Sequence, residues 1–351
     1  MEDPVKRVQN VVIVGTQRSG TTLLQKLISE NFNFATAFES YFIPIFGRYK
    51  FLWGDLSKYE NREKMLGAIF LYLELRYSAA DKLTKKTKEQ HTLLACKRNA
   101  KKIIEESKSY RTLVQNLFRY YCIQKEKEGF VEKTAYHDWP PFPTLGNVFE
   151  NTLFVHLIRN PLDTYSSWKE TWFSPKYAST AARIWKRINR NCYDWGSQNS
   201  GRYILIKYED LISNPEGQIS RLRKYLKVQK KMMEKNVSNK GSLFDNLSRK
   251  SWFKNINSDI GLKNRNVSLS HAEAGIIANL VNEEAAKYNY KLNAFLEKKR
   301  NFNIVLFAQK IMEFFTFNSM RRKVEKHFPL VIKIAQTTGT EKLLLKLTTS
   351  N

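Results

Sequence analysis

The stretch from Val11 to Ile28, VVIVGTQRSGTTLLQKLI, constrains this chain more than any other. Four consecutive aliphatic residues, Val11 to Val14, lack the alternation of a half-solvated strand and predict one buried on both faces. The run breaks at Gly15, turns through Thr16, Gln17, Arg18 and Ser19, and restarts at Gly20 as a helix with Leu23, Leu24, Leu27 and Ile28 on its apolar side. A strand, a phosphate-sized loop and a helix follow one another. Gly15 and Gly20 keep the spacing of a P-loop, in which successive backbone N–H groups point at one anion and the positive end of the helix dipole adds to the attraction. Where a nucleoside triphosphatase carries Lys before Ser/Thr, however, this chain has Thr21 and Thr22, and its only cation lies inside the loop at Arg18. A cation there sits beside a breaking bond rather than behind a terminal phosphate. No side chain is arranged in the usual way to hold magnesium.

The loop GTQRSGTT resembles the 5′-phosphosulfate loop of sulfotransferases, enzymes that use 3′-phosphoadenosine 5′-phosphosulfate (PAPS), and in particular the carbohydrate and tyrosylprotein branch that carries Arg in this loop. The resemblance implies a P-loop-like three-layer α/β domain with a central parallel sheet. It also implies that Gln17, Arg18, Ser19, Gly20, Thr21 and Thr22 bind the donor, through their amides and the hydroxyls of Ser19, Thr21 and Thr22. In the tyrosylprotein branch a Glu at the spacing of Glu39 after the loop Arg is the proposed general base, so that role falls on Glu39; a hydroxyl acceptor must lose its proton as sulfur is attacked.

Two further segments agree. In GFVEKTAYHDW, Phe130 and Val131 read as a short strand with Glu132, Lys133 and Thr134 following at its end. This resembles the family's EKTP-x-H segment, with Ala135 replacing the proline, and it implies Lys133 as a contact to the sulfuryl group or bridging oxygen. His137 is the second candidate base. In TLFVHLIRNPLDTYSSW, Leu153 to Ile158 read as a buried strand ending at Arg159, and Asn160-Pro161 opens a helix. An Arg at a strand end and a Ser two turns into the next helix can converge on one phosphate. The resemblance makes Arg159 and Ser167 the ligands of the 3′-phosphate. A looser match around Ser251-Trp252-Phe253 implies Trp252 as an adenine or lid contact.

The rest of the chain reads as scaffold. Residues 47–128 carry long helical patterns and are expected as a helical lid inserted in a sulfotransferase domain spanning 1–300, with 301–351 a helical, basic C-terminal extension. Residues 178–199 predict an amphipathic helix with Ile184, Trp185, Ile188, Cys192 and Trp195 as core. Tyr203 to Ile206 predict another buried strand, running into Tyr208-Glu209-Asp210-Leu211, the family's structural Y-E-D-L segment. Residues 272–288 match the final family helix and its closing tyrosine.

Lys and Arg number 59 against 33 Asp and Glu, a net charge of +26. That favours an anionic partner without choosing among a charged nucleotide, an acidic glycan or a membrane face. Nucleic acid is not expected, and peripheral membrane contact through the C-terminal extension is. Cys96, Cys122 and Cys192 have no ligand or disulfide spacing and read as reduced core residues of a cytoplasmic protein. The polar N-terminus leads straight into the first strand, leaving no room for a signal peptide. The acceptor is a glycan, a glycolipid, a protein tyrosine or a small metabolite, and no metal is expected. Two rivals stand beside this reading: a P-loop kinase or NTPase using Glu209 and Asp210 for magnesium, and a non-catalytic basic protein that binds a membrane or nucleic acid.

Overall fold

In a computed structural model of the chain, the residues described are 10–37, 40–84, 93–134, 142–171, 175, 177–226 and 269–295. They form two compact units, one drawn from Met1–Phe34, Val131–Pro140 and Thr152–Ile311, the other from Ala35–Phe130, Pro141–Asn151 and Met312–Asn351. Five strands make one sheet: β1 (Asn10–Val14), β2 (Phe34–Thr36), β3 (Gly129–Lys133), β4 (Thr152–Ile158) and β5 (Tyr203–Lys207), in the order β2-β3-β1-β4-β5. β1 runs parallel to β3 and β4, and β4 parallel to β5. The register sets Ile13 against Lys133, Val14 against His156 and Ile158 against Lys207, so the C-terminal ends of β3, β1, β4 and β5 share one edge. In open parallel sheets that edge is where ligands bind.

Alternation along the central strands sorts the two faces. Val11, Ile13, Leu153, Val155, Leu157, Ile204 and Ile206 form one core with Leu24, Leu27 and Ile28 of α1 (Thr21–Phe32) and with Ile219 and Leu222 of the later helix Pro215–Tyr225. On the other face Phe154 packs against Trp195, 4.5 Å between ring centroids. β3 is longer than its sequence suggests. Glu132 and Lys133 lie within it rather than beyond its end, so they point to opposite faces; Glu132 is fully buried and accepts a hydrogen bond from Thr134 Oγ1.

In the second unit come α2 (Phe42–Arg48), α3 (Tyr59–Thr84), α4 (Ala100–Glu105), α5 (Tyr110–Gln124) and α6 (Phe142–Val148). α3 runs on helical spacing, and its face Met65, Ile69 and Leu73 is fully buried. α5 begins on a capping box in which Ser109 and Thr112 satisfy each other's backbone N–H groups, and it buries Leu113, Leu117, Tyr121 and Cys122. Arg62, only 6% exposed, donates to the carbonyls of Leu56, Ser57 and Ile104, tying the start of α3 to the end of α4. Tyr110 and Tyr121 spend their hydroxyls on the carbonyls of Ile43 and Thr36. Both are packing residues.

The remaining helices of the first unit are α7 (Pro161–Lys169), α8 (Ala178–Gln198), α9 (Tyr208–Ser213), α10 (Pro215–Tyr225) and α11 (His271–Ala286). Between β4, α8, β5 and α11 lies a buried polar network. His156 is fully buried, with Nδ1 2.7 Å from Tyr203 Oη and Nε2 2.9 Å from Asn189 Oδ1. Asn189 Nδ2 donates to Trp185 O, so its Oδ1 accepts from His156 Nε2–H, and the Nδ1 lone pair accepts from Tyr203. Tyr288 of the last turn donates to Asn189 O. Burial in this network pushes the His156 imidazole down to about 4.

A depressed histidine favours the folded state wherever the unfolded chain binds a proton that the folded one refuses. The stability held above pH 6.5 is therefore lost as pH falls toward 4, by up to roughly 3 kcal/mol. Urea midpoints at pH 7, 5.5 and 4 should fall steeply for the wild type and less steeply for His156→Gln, which keeps hydrogen-bonding capacity without titrating.

All three cysteines are free and buried, and burial raises each thiol, Cys96 and Cys122 to about 12. Among the described residues no helix is long and apolar enough to cross a membrane. Residues 301–351, with the expected basic extension, lie outside the described residues.

Candidate active site

The loop after β1 is built by two glycines. Gly15 has φ +140°, and a Cβ there would stand 2.2 Å from the Leu157 carbonyl oxygen of β4. Gly20, at φ +93°, caps α1, and a Cβ there would stand 2.4 Å from the Tyr208 ring. Both positions need glycine for conformation and for space. Between them Ser19 N donates to Thr16 O, closing the turn, and the Thr16 and Ser19 hydroxyls bond each other, both fully buried. Arg18 takes a left-handed φ of 65° and is exposed, so it projects from the tip of the loop. α1 has no side-chain cap and no acidic residue in its first turn. Among the described residues, neither a cap side chain nor a first-turn acid offsets the positive end of its dipole.

β4 delivers Arg159 next to this loop. Its Nη1 donates to Arg18 O at 3.0 Å, its Cζ lies 4.1 Å from the centroid of the Tyr208 ring, and its own carbonyl accepts from Trp185 Nε1 at 2.9 Å. Arg159 is 5% exposed, and among the described residues its Nε has no hydrogen-bond partner. A buried guanidinium N–H left unsatisfied costs stability, and an anion is the partner that would recover it. Asn160 caps α7 by accepting from Leu162 N, and Pro161 sets its first turn. That geometry brings Ser167, two turns on and 6% exposed, back to the same place, where Arg18 Nε donates to Ser167 Oγ at 3.1 Å. The loop and Ser167 are separated by the length of an arginine side chain. Burial raises the Asp163 carboxyl, against the lowering effect of the nearby Arg159 charge.

Nine sequence-predicted residues, Gln17, Arg18, Ser19, Gly20, Thr21, Thr22, Lys133, Arg159 and Ser167, thus lie at the C-terminal edge of the sheet. Lys133 ends β3 and is half-buried. Ser19 turns inward onto Thr16, Thr21 is 5% exposed and Thr22 is open to solvent. Glu39, His137 and Trp252 lie outside the described residues. The rival magnesium pair is divided in the structure. Glu209 spends Oε1 on the Asn160 N–H, 2.9 Å, and Oε2 on the Tyr290 hydroxyl, 2.8 Å, while Asp210 is exposed. Glu209 is a strut that holds the β4–α7 turn.

Sequence reasoning missed Tyr208. Reading Y-E-D-L as structural passed over the ring that meets both Gly20 and Arg159. The available signal was an aromatic residue directly after a strand whose neighbour ends in a buried arginine.

The profile of the Sulfotransferase family matches residues 10–231. No curated protein matches the chain at a significant level. Similar solved structures include the sulfotransferase domain of the olefin synthase of Synechococcus PCC 7002, at 20% identity and TM-score 0.43, covering 64% of this chain and 74% of that one. The sulfotransferase domain from the curacin biosynthetic pathway is similar at 18% identity and TM-score 0.38, covering 64% and 75%. A sulfotransferase from Mycobacterium avium is similar at 13% identity and TM-score 0.42, covering 82% and 79%. At these scores the structural likenesses carry no weight of their own, and the assignment rests on the sequence profile, which spans β1 through α10 and takes in both the glycine loop and the Arg159–Ser167 segment. The chain belongs to the sulfotransferase family.

Proposed function

We propose that this sulfotransferase uses PAPS as its donor and a hydroxyl or amine acceptor, with a glycan, a glycolipid or a protein tyrosine as the acceptor class. One observation supports the donor above the others: among the described residues the buried Arg159 keeps an unpartnered Nε beside a glycine loop that opens a helix without a side-chain cap. Two anion-seeking places this close suit a nucleoside phosphorylated at both its 3′ and 5′ positions. When bound, PAPS supplies the sulfuryl group for in-line displacement at sulfur, with adenosine 3′,5′-bisphosphate as the leaving group.

The amides from Gln17 to Thr22 would hold the 5′-phosphate, and Arg159 with Ser167 the 3′-phosphate. Arg18 and Lys133 would bring positive charge to the bridging oxygen, where negative charge builds, so no metal is assigned. Glu39 would take the acceptor proton. The basic surface favours acidic or membrane-borne acceptors.

The test is calorimetry with adenosine 3′,5′-bisphosphate and adenosine 5′-monophosphate. The wild type should bind the bisphosphate at least tenfold more tightly. Arg159→Ala should weaken bisphosphate binding about 100-fold, or roughly 3 kcal/mol, while changing monophosphate binding little. Equal affinity of the wild type for the two nucleotides overturns the donor assignment. ATP binding as tight as that of the bisphosphate would favour a phosphoryl-transfer enzyme instead. Incubation with labelled PAPS and extracts of candidate acceptors then identifies the acceptor class.

A further inference from the structure

The turn that follows α2 is built inside out. Residues 48–54, Arg-Tyr-Lys-Phe-Leu-Trp-Gly, close into a 3-10 helix over Lys50–Trp53, with Leu52 N donating to Tyr49 O at 3.0 Å and Gly54 N to Phe51 O at 3.2 Å. Trp53 turns inward, 4% exposed, and stacks on Phe46 with ring centroids 5.2 Å apart, while Phe46 makes edge contacts with Phe42 and Tyr72. Among the described residues the Trp53 indole N–H has no hydrogen-bond partner. Phe51, two residues earlier, turns outward and is 68% exposed, more than any other large hydrophobic side chain among the described residues. The ring with a polar atom is thus buried and the ring without one is in water. Both placements work against stability, and a local choice of that kind marks a surface kept for another use.

The surroundings of Phe51 are cationic. Arg48 and Lys50 are exposed on either side of the half-buried Tyr49, whose ring lies 5.7 Å from the Arg48 Cζ and 6.4 Å from the Phe51 ring. No carboxylate occurs from Ser40 to Gly54. The next one, Asp55, accepts from Ser57 N at 2.9 Å and from the Ser57 hydroxyl at 2.7 Å, so it is held by its own turn. A sugar would need amides, carboxylates or hydroxyls to read its own hydroxyls, and residues 48–54 offer one side-chain hydroxyl, that of Tyr49. An apolar ring flanked by long cationic side chains instead matches the boundary of an anionic bilayer, where rings enter the headgroup region and Lys and Arg extend to the charged headgroups.

We propose that the Arg48–Leu52 turn docks on the surface of an anionic lipid bilayer, with Phe51 entering the boundary between headgroups and acyl chains and Arg48 and Lys50 meeting the anionic headgroups. The proposal concerns this turn alone and does not depend on the donor reading. The net charge of +26 would by itself draw the protein to anionic lipid, so the ring is what separates docking at this turn from general attraction.

The experiment measures partition of the full chain onto phosphatidylcholine vesicles with and without phosphatidylserine, by sedimentation, in the absence of nucleotide. Phe51→Ser leaves the charge unchanged and should lower partition onto the anionic vesicles about tenfold. Replacing both cations, Arg48→Gln with Lys50→Gln, should lower it about 20-fold there and change it little on phosphatidylcholine alone. Ile123→Ser, at an exposed apolar residue of α5, should stay within about twofold of the wild type. A fluorophore on Phe51→Cys, selective because the three native cysteines are buried, should shift to the blue on the anionic vesicles. Partition that survives Phe51→Ser overturns the proposal, as does a label that does not shift. Sedimentation without lipid supplies a further check: self-association of the wild type that Phe51→Ser abolishes would assign the ring to a second copy of this chain and overturn the proposal too.

Discussion

Arg18→Ala is expected to lower turnover with PAPS about 1,000-fold while leaving the protein folded. The magnitude is that of removing one preorganised donor from a site of developing negative charge. The fold should survive because the Arg18 side chain is exposed: alanine loses the Nε bond to the Ser167 hydroxyl but keeps the backbone carbonyl that accepts from Arg159 Nη1. The left-handed φ of 65° is no easier for arginine than for alanine, so the substitution should shift the melting temperature little. Affinity for adenosine 3′,5′-bisphosphate should also fall only modestly, since the loop amides and Arg159 remain. The loss should thus appear in kcat rather than in binding. Arg18→Lys should recover part of it, because the charge returns without the planar fork that reaches Ser167 through Nε. Turnover by Arg18→Ala at the wild-type rate would remove Arg18 from the catalytic machinery.

Gly15→Ala should destabilise the first unit by about 4 kcal/mol, the sum of backbone strain and overpacking. Its φ of +140° disfavours any side chain, and the added Cβ would stand 2.2 Å from the Leu157 carbonyl oxygen. Relief would require β4 to withdraw, but β4 is buried at every residue and paired on both sides, with β1 and with β5. Equilibrium unfolding in urea should show a lowered midpoint with an unchanged slope. A loss below about 1 kcal/mol would mean that the loop leaves the strand by a different path.

Much of this site is legible in the sequence because its chemistry is local. The apolar run Val11–Val14, the glycines at 15 and 20, and the Asn160-Pro161 start of α7 each encode a strand, a turn or a cap within a few residues, and the structure forms all three there. The spacing from Arg159 to Ser167 is likewise two helical turns along one short helix, so it places the hydroxyl without help from elsewhere in the chain. Burial was read less well where a polar residue sits inside an element. Glu132 looks like the end of a strand and proves to be a fully buried member of it. His156 stands in an otherwise apolar strand, and its partners Asn189 and Tyr203 are 33 and 47 residues away.

The sequence by itself determined that the chain carries a glycine-lined anion loop with an internal arginine, and a second strand ending in arginine ahead of a serine-bearing helix. Tertiary structure alone decided that β1 and β4 lie side by side, with β3 and β5 flanking them, so that these separate segments open on one edge. It also decided that one ring, Tyr208, would serve both Gly20 and Arg159. The physical reason is that turn and cap preferences act over a few covalent neighbours, whereas strand order and the stacking of a guanidinium on a ring are set by pairings between residues far apart in the chain, which leave no periodic trace in either partner.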